Sequence, residues 1–258
     1  MKLDGKVALV TGGGRGLGEG IAKKLAEAGC NIAIADIDLD NAKKVAEDIK
    51  KMGRKAIAVK VDVTKWEQVK SMVNKTIKEL GSLDIAVNNA GVISIKSVEE
   101  LSEEDWDHVL DVNAKGVFLC SKAEIPHMKE QNWGRIINVA SIAGKQGFPD
   151  LAHYSASKFA VVGFTNALAK ELAKTKITAN AICPGIIGTQ MWYGDKGLAN
   201  KWKGEKESME ESWQRNQESL IPQGVAQTPE DMGGLAVYFA TAPHVTGQAV
   251  AVDGGMTL

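Results

Sequence analysis

The sequence predicts an α/β fold: a Rossmann-like, doubly wound parallel sheet of about seven strands with helices on both faces, in a single domain over residues 1–258. Three observations predict it. Short β-branched or alanine-rich runs alternate with amphipathic stretches at helical spacing, the pattern of parallel strands joined by helical crossovers. The runs are nearly continuous in apolar residues, as in VALV and IAIA, which burial on both faces of a sheet requires. The length of 258 residues suits one α/β layer structure with a single large core.

The elements follow in order. Val7–Thr11 reads as the first strand and Gly18–Ala28 as the first helix. Asn31–Asp36 and Asn41–Met52 repeat the pair, as do Ala56–Val63 and Trp66–Leu80, and Leu83–Asn88 is the fourth strand. A long helix is expected around Asp111–Glu130, a strand at Arg135–Val139, a helix around Ala152–Ala173 and a strand at Thr178–Ile182. A helix near Pro229–Ala240 and a strand at Gln248–Val252 complete the series. The segment 188–223 breaks the rhythm, with Trp192, Trp202 and Trp213 set in a charged stretch beyond a strand end. Ligands of open α/β sheets sit at such ends, so the segment is read as a substrate-covering lid. Its later half, Trp202–Ser219, reads equally as a solvated helical hairpin or a subunit contact.

Bulk composition excludes several partners. With 31 Lys and Arg against 32 Asp and Glu, the net charge of -1 gives no reason to expect nucleic acid. Mean hydropathy is -0.13 and no apolar run approaches the ~20 residues of a membrane span. The first residues lack the shape of a signal peptide, so a cytoplasmic location and no membrane partner are expected. Cys30, Cys120 and Cys183 are few, distant and set among apolar neighbours, which points to buried thiols and to no metal.

The turn Thr11-Gly12-Gly13-Gly14-Arg15-Gly16-Leu17-Gly18 follows the first strand and opens the first helix. Glycines let the backbone turn sharply and approach a pyrophosphate, whose charge is met by free N–H groups and the helix dipole. Asp36 ends the second strand, near the offset at which a carboxylate reaches the adenosine ribose, and it repels a 2′-phosphate. NAD is therefore expected over NADP, although Arg15 could pair with a phosphate. Asp62 and Val63 close the third strand, where they suit the adenine or serve as a plain turn. Asn88-Asn89-Ala90-Gly91 leaves the fourth strand as small and amide-bearing residues beside the cofactor, or as an Asx-turn.

Tyr154 and Lys158 stand four apart in YSASK, on one face of a helix. A phenol has an ordinary pKa of about 10, and a neighbouring ammonium favours its ionised form. Thirteen residues upstream, Ser141 ends another strand and could donate to a carbonyl oxygen that Tyr154 protonates.

The ordered set TGGGRGLG, Asp36, Asp62, NNAG, Asn113, Ser141, YSASK and Pro184-Gly185 resembles a classical short-chain dehydrogenase/reductase over essentially the whole chain. The resemblance implies Tyr154 as general acid/base, Ser141 as substrate orienter and Lys158 as modulator of the phenol and ribose ligand. It implies that Asn113 holds a water linking Lys158 to solvent. Gly12, Arg15, Gly16, Leu17 and Gly18, with Asp36, Asp62, Val63, Asn89, Ala90 and Gly91, match the dinucleotide side. Pro184, Gly185, Ile187 and Thr189 match the segment that positions the nicotinamide. A homotetramer is implied too. The chain departs in having Gln223-Gly224-Val225 where many members carry Gly-Arg after the lid.

Pocket residues expected around the chemistry are Ile142, Lys145, Gln146, His153, Ile186, Met191, Trp192 and Tyr193. Their mixed polar and aromatic character suggests a small hydroxylated substrate over a steroid or acyl chain. FPDLAHY, YSASKFAVVGFT and CPGIIGTQMW resemble the acetoin/2,3-butanediol and polyol dehydrogenase branch, which implies a vicinal diol, hydroxyketone or sugar alcohol. The enzymatic alternative is a 3-oxoacyl thioester reductase; the alternative of another class is a non-catalytic dinucleotide sensor or scaffold.

Overall fold

The structure is a computed structural model that describes residues 2–193 and 198–258. Seven parallel strands form one sheet in the order β3-β2-β1-β4-β5-β6-β7. They are β1 (Val7–Thr11), β2 (Asn31–Asp36), β3 (Ala56–Lys60), β4 (Ile85–Asn88), β5 (Gly134–Val139), β6 (Ile177–Pro184) and β7 (Ala249–Val252). The central strands are buried throughout, as their continuous apolar runs demand.

Helices α1 (Gly16–Glu27), α2 (Leu39–Lys51) and α10 (Pro229–Thr241) cover one face, where Ile21, Leu25, Ile49 and Phe239 are fully buried against β1 and β2. The other face carries α3 (Trp66–Leu80), α5 (Gly116–Glu130) and α6 (Ala152–Glu171), packed through Met72, Cys120, Met128 and Leu168. Each large aliphatic side chain so buried contributes about 1.5–3 kcal/mol relative to exposure. The fold class is the one the alternation predicts.

Several boundaries differ from expectation, most by one or two residues. The third strand ends at Lys60, since Asp62 turns the chain by accepting from the Thr64 amide and hydroxyl at 2.9 and 2.7 Å. The long helix starts earlier, as α4 (Glu103–Leu110), with Ser102 and Asp105 forming a capping box. It then passes through a single π turn, Asp111–Lys115, before α5. Beyond β6 lie α7 (Gln190–Tyr193), α8 (Leu198–Trp202) and α9 (Met209–Leu220), so the segment 188–223 is largely helical; residues 194–197 of it lie outside the described residues.

Behind the site, Asn88 donates through Nδ2 to Asn138 Oδ1 at 3.0 Å and to Glu124 at 3.2 Å. Asn138 passes its own amide to Thr165 at 2.9 Å, so β4, β5, α5 and α6 share one buried polar cluster. Glu124 is fully enclosed and burial pushes its carboxyl up to about 8.

Candidate active site

The strand order reverses between β1 and β4, and the loops that leave these strands diverge there to open a crevice. A cavity of about 1330 Å³ runs from that crevice across the carboxyl ends of the sheet. Its two ends are built by different means.

At the first end the glycine turn carries the geometry. Gly12 and Gly16 have φ of 62° and 56°, a region costly for side chains with a Cβ. At Gly18 an added Cβ would stand 2.2 Å from the Gly12 carbonyl oxygen, so only glycine lets α1 sit this close to the turn. Asn89 fastens the turn to β4, donating through Nδ2 to the Thr11 and Gly12 carbonyls at 3.0 Å each. Arg15, at the N-cap of α1, supplies no side-chain cap, so the first-turn N–H groups face the cavity without one. Asp36, 9 % exposed, accepts from Gly14 N at 2.9 Å and Asp38 N at 3.0 Å while still lining the cavity. Asp62 and Val63 line it as well. Burial works against ionisation of Asp62, yet its bonds from Thr64 hold it below the usual carboxylate range. Uncapped helix amides beside a carboxylate at the second strand end form a donor and acceptor set that fits a dinucleotide's pyrophosphate and ribose.

At the other end Ser141 follows β5, and its hydroxyl accepts from Ala143 N at 3.1 Å to start the 3-10 turn Ile142–Gly144. Tyr154 lies in the first turn of α6, where the Ser141 hydroxyl favours its ionised form. Lys158 stands one turn on, its ammonium 5.6 Å from the Tyr154 ring centre and donating to Val139 O at 3.0 Å. Both line the cavity and both are buried. Burial pushes the phenol up to about 12, against the opposing pull of the Ser141 hydroxyl, and brings Lys158 down to about 8. This corrects the expectation of an acidified phenol: desolvation, which disfavours the charged form, is the largest influence on both groups.

Asn113 sits in the π turn, fully buried and away from the cavity wall. Its Oδ1 accepts from Val92 N at 2.8 Å, and its Nδ2 donates to Val92 O at 2.9 Å and Ser157 Oγ at 3.0 Å. The amide thus ties the loop after β4 to α6.

Of the other expected residues, Leu17, Ala90, Gly91, Pro184, Gly185, Ile187 and Thr189 line the cavity, as do Ile142, Ile186, Met191 and Trp192. Four expected pocket residues do not. Lys145 and Gln146 are exposed, because the 3-10 turn carries the chain out to solvent after Gly144. His153 is fully buried one position before Tyr154, about 100° around the helix, with Nε2 at 2.6 Å from Ser94 Oγ. Tyr193 packs on Trp213 with ring centres 5.5 Å apart.

Trp202 of the expected lid lines the cavity too, and with it come residues the sequence did not name for the pocket: Val92 and Ile93 from the loop after β4, Phe148 and Leu151 before α6, and Leu198, Asn216 and Leu220 from the segment beyond β6. The wall is more apolar than expected. Phe148 and Leu151 had a signal in their place just ahead of Tyr154, and a capping box at Ser208 and Glu211 could have located α9. The base of that segment is held where the family's Gly-Arg is missing, by Gln223 N donating to Gly254 O at 3.1 Å and Ala226 N to Gln217 Oε1 at 3.0 Å.

Among the described residues no group of three or more His, Cys, Asp or Glu could hold a metal ion, and no helix is long and apolar enough to cross a membrane.

A doubly wound sheet with a glycine turn at its switch point, and a Ser, Tyr and Lys gathered at the far end of the same crevice, defines an oxidoreductase of the nicotinamide-nucleotide class. Residues 6–196 match the short chain dehydrogenase family, and the chain belongs to that family. It is 42% identical over 257 residues to an L-2,3-butanediol dehydrogenase of Corynebacterium glutamicum, covering 97% of this chain and 98% of the relative. A 3-oxoacyl-[acyl-carrier-protein] reductase of Chlamydia muridarum is 38% identical over 254 residues, with 97% of both chains covered. A short-chain type dehydrogenase/reductase from Mycobacterium marinum superposes with a TM-score of 0.86 at 34% identity, covering 99% of this chain and 96% of the other. The two kinds of curated relative are similar to this chain at comparable identity, so the diol-dehydrogenase branch is not singled out.

Proposed function

We propose that the protein interconverts a secondary alcohol and a ketone on a small substrate, using NAD(H), with a vicinal diol or hydroxyketone as the preferred class. The observation that carries this reading is that Ser141, Tyr154 and Lys158 line the same continuous cavity as Gly12, Gly16, Gly18 and Asp36. The helix amides of α1 would hold the pyrophosphate, and Asp36 would accept from the ribose hydroxyls and repel a 2′-phosphate. A bound nicotinamide supplies hydride exchange with the carbinol carbon. Tyr154 accepts the alcohol's proton in oxidation and returns it in reduction. Ser141 donates to the same substrate oxygen, and Lys158 steadies the phenolate once it forms. Asn113 fixes the loop after β4 against α6 and would hold a water that links Lys158 to solvent.

The segment 188–223 serves as the lid over the substrate end. Trp192 stacks edge-on against Trp202 and Trp213 at 5.8 and 4.9 Å, which fastens α7, α8 and α9 together. Lined by Val92, Phe148, Leu151 and Trp202, that end suits alkyl carbon next to the reacting centre better than a chain of hydroxyls. The sugar alcohol is therefore the weakest of the three expected substrates. The same apolar wall favours a 3-oxoacyl thioester as the second reading, and the reductase relatives support it. A cytoplasmic homotetramer completes the proposal, its assembly testable by light scattering.

Initial rates with NAD and with NADP across diols, sugar alcohols, acetoin and short 3-oxoacyl esters test the reading. NAD-linked turnover of acetoin and butanediol is expected. Turnover confined to the NADP-linked thioester reaction would overturn both the cofactor and the substrate assignments.

A further inference from the structure

We infer that Asn216 is a specificity-determining residue that accepts a hydrogen bond from a second hydroxyl on the substrate, beside the reacting carbon's own. This rests on the function proposed above and narrows its substrate class.

The residue is out of character with its surroundings. It lies within α9, is 4% exposed, and lines the cavity at the end enclosed by Trp192, Trp202, Leu198 and Leu220. Its side-chain nitrogen turns back along its own helix, donating to Ser212 O at 2.7 Å and lying 3.3 Å from Ser212 Oγ. A carbonyl oxygen can only accept, so the group 2.7 Å from it must be the amide's NH2 and the opposite atom must be Oδ1. The orientation is fixed by chemistry. Oδ1 has no hydrogen-bond partner among the described residues, and it is not among the buried atoms cut off from accessible space. Asn216 thus presents an oriented acceptor at the wall of an apolar chamber.

Other polar side chains at this end are poorer discriminators. Gln190 is exposed, and exposed Arg215 has its guanidinium committed to Glu207 at 2.8 and 2.9 Å and to Trp202 O at 2.8 Å. Water competes for exposed groups, whereas an enclosed acceptor left unmatched by its ligand stays unpaired. A site with such an acceptor rejects the analogue that lacks the donor far more strongly than it rejects a change in alkyl length. With Tyr154 and Ser141 engaging one substrate oxygen, a neutral acceptor elsewhere in the same cavity calls for a hydroxyl, as in a hydroxyketone or its diol.

The test compares kcat/KM for 3-hydroxybutan-2-one and butan-2-one with NADH, and for butane-2,3-diol and butan-2-ol with NAD, in wild type and in Asn216→Leu. Because the preference is a ratio within one protein, a general loss of activity cancels from it. The wild-type protein is expected to prefer the hydroxylated member of each pair by at least about tenfold, and Asn216→Leu to bring that preference close to unity. A wild-type protein with no preference overturns the inference, and this outcome needs no variant. So does a folded Asn216→Leu that keeps the preference; Asn216→Ala gives the same reading should leucine prevent folding. Turnover of no member of either pair, with either cofactor, would instead sink the proposed function itself.

Discussion

Tyr154 and Lys158 are enclosed together, and the pH dependence of the reaction follows from that. With the phenol raised to about 12, its ionised fraction grows about tenfold per pH unit through the neutral and mildly alkaline range. Alcohol oxidation, which needs the base, should therefore speed up from pH 7 to pH 9. Carbonyl reduction needs the phenol protonated and the ammonium charged; it should be flat below about 8 and decline above it as Lys158 loses its proton. Initial rates in both directions check the opposed slopes, and an oxidation rate indifferent to pH would remove Tyr154 as the base. Replacing Tyr154 by Phe should lower kcat by 10²–10⁴-fold, roughly what general acid–base groups contribute, while cofactor binding measured by fluorescence titration persists. These residue types were legible because YSASK and Ser141 keep a fixed spacing. The burial that sets their pKa values was not, since it depends on β5, β6 and the segment beyond β6 closing around them.

The element most exposed to a single change is the junction of β1 and α1. Gly18→Ala would place a methyl group 2.2 Å from the Gly12 carbonyl, so the turn must open and pull away from Asn89. The expected result is a KM for NAD raised by at least about tenfold together with a lowered Tm, because Gly18 is buried and the added methyl meets backbone that has to move. Asp36→Ala acts at the same place by another route. It removes the acceptor of Gly14 N along with the charge that disfavours a 2′-phosphate, so the ratio of kcat/KM values for NAD over NADP should fall about tenfold or more. Steady-state rates with both dinucleotides read both variants. The glycine turn was legible from strand, glycines and helix in sequence. The pocket wall was not: Lys145 and Gln146 sit close to Ser141 in sequence yet leave on a 3-10 turn, and Asn216 arrives from 75 residues away on α9. Sequence proximity to a reacting group finds its scaffold; the substrate wall comes from tertiary contact.

For the molecule as a whole, the seven strands were legible because apolar runs and amphipathic stretches alternate up to Pro184 and resume near Pro229 for the last helix and strand. The cluster around Glu124 was not, since nothing in GVFLCSKAEIPHMKE marks one carboxyl for the interior. Its pKa of about 8 in the fold, against 4.5 as its ordinary value, makes stability depend on pH. Below 4.5 the group is protonated in both states and contributes no difference. Between 4.5 and about 8 the unfolded chain ionises first, so stability falls with rising pH by roughly 1.4 kcal/mol per unit; above 8 the loss is complete. Glu124→Gln removes that slope and should raise the Tm at pH 8 while leaving it little changed near pH 4.5. Thermal melts at the two pH values decide it, and an equal shift at both would show that ionisation is not involved.

The π turn at Asp111–Lys115 holds one residue more than an α-helix would spend on the same advance. That surplus sets the angular phase of everything downstream, and excising one residue would swing α5 by about 100°. Ser121 and Glu124 would then swing away from Asn88, and Cys120 and Met128 would leave the core. In this family member a helix that looks unbroken in the alternation of the sequence is two helices clocked against each other, with Asn113 at the join.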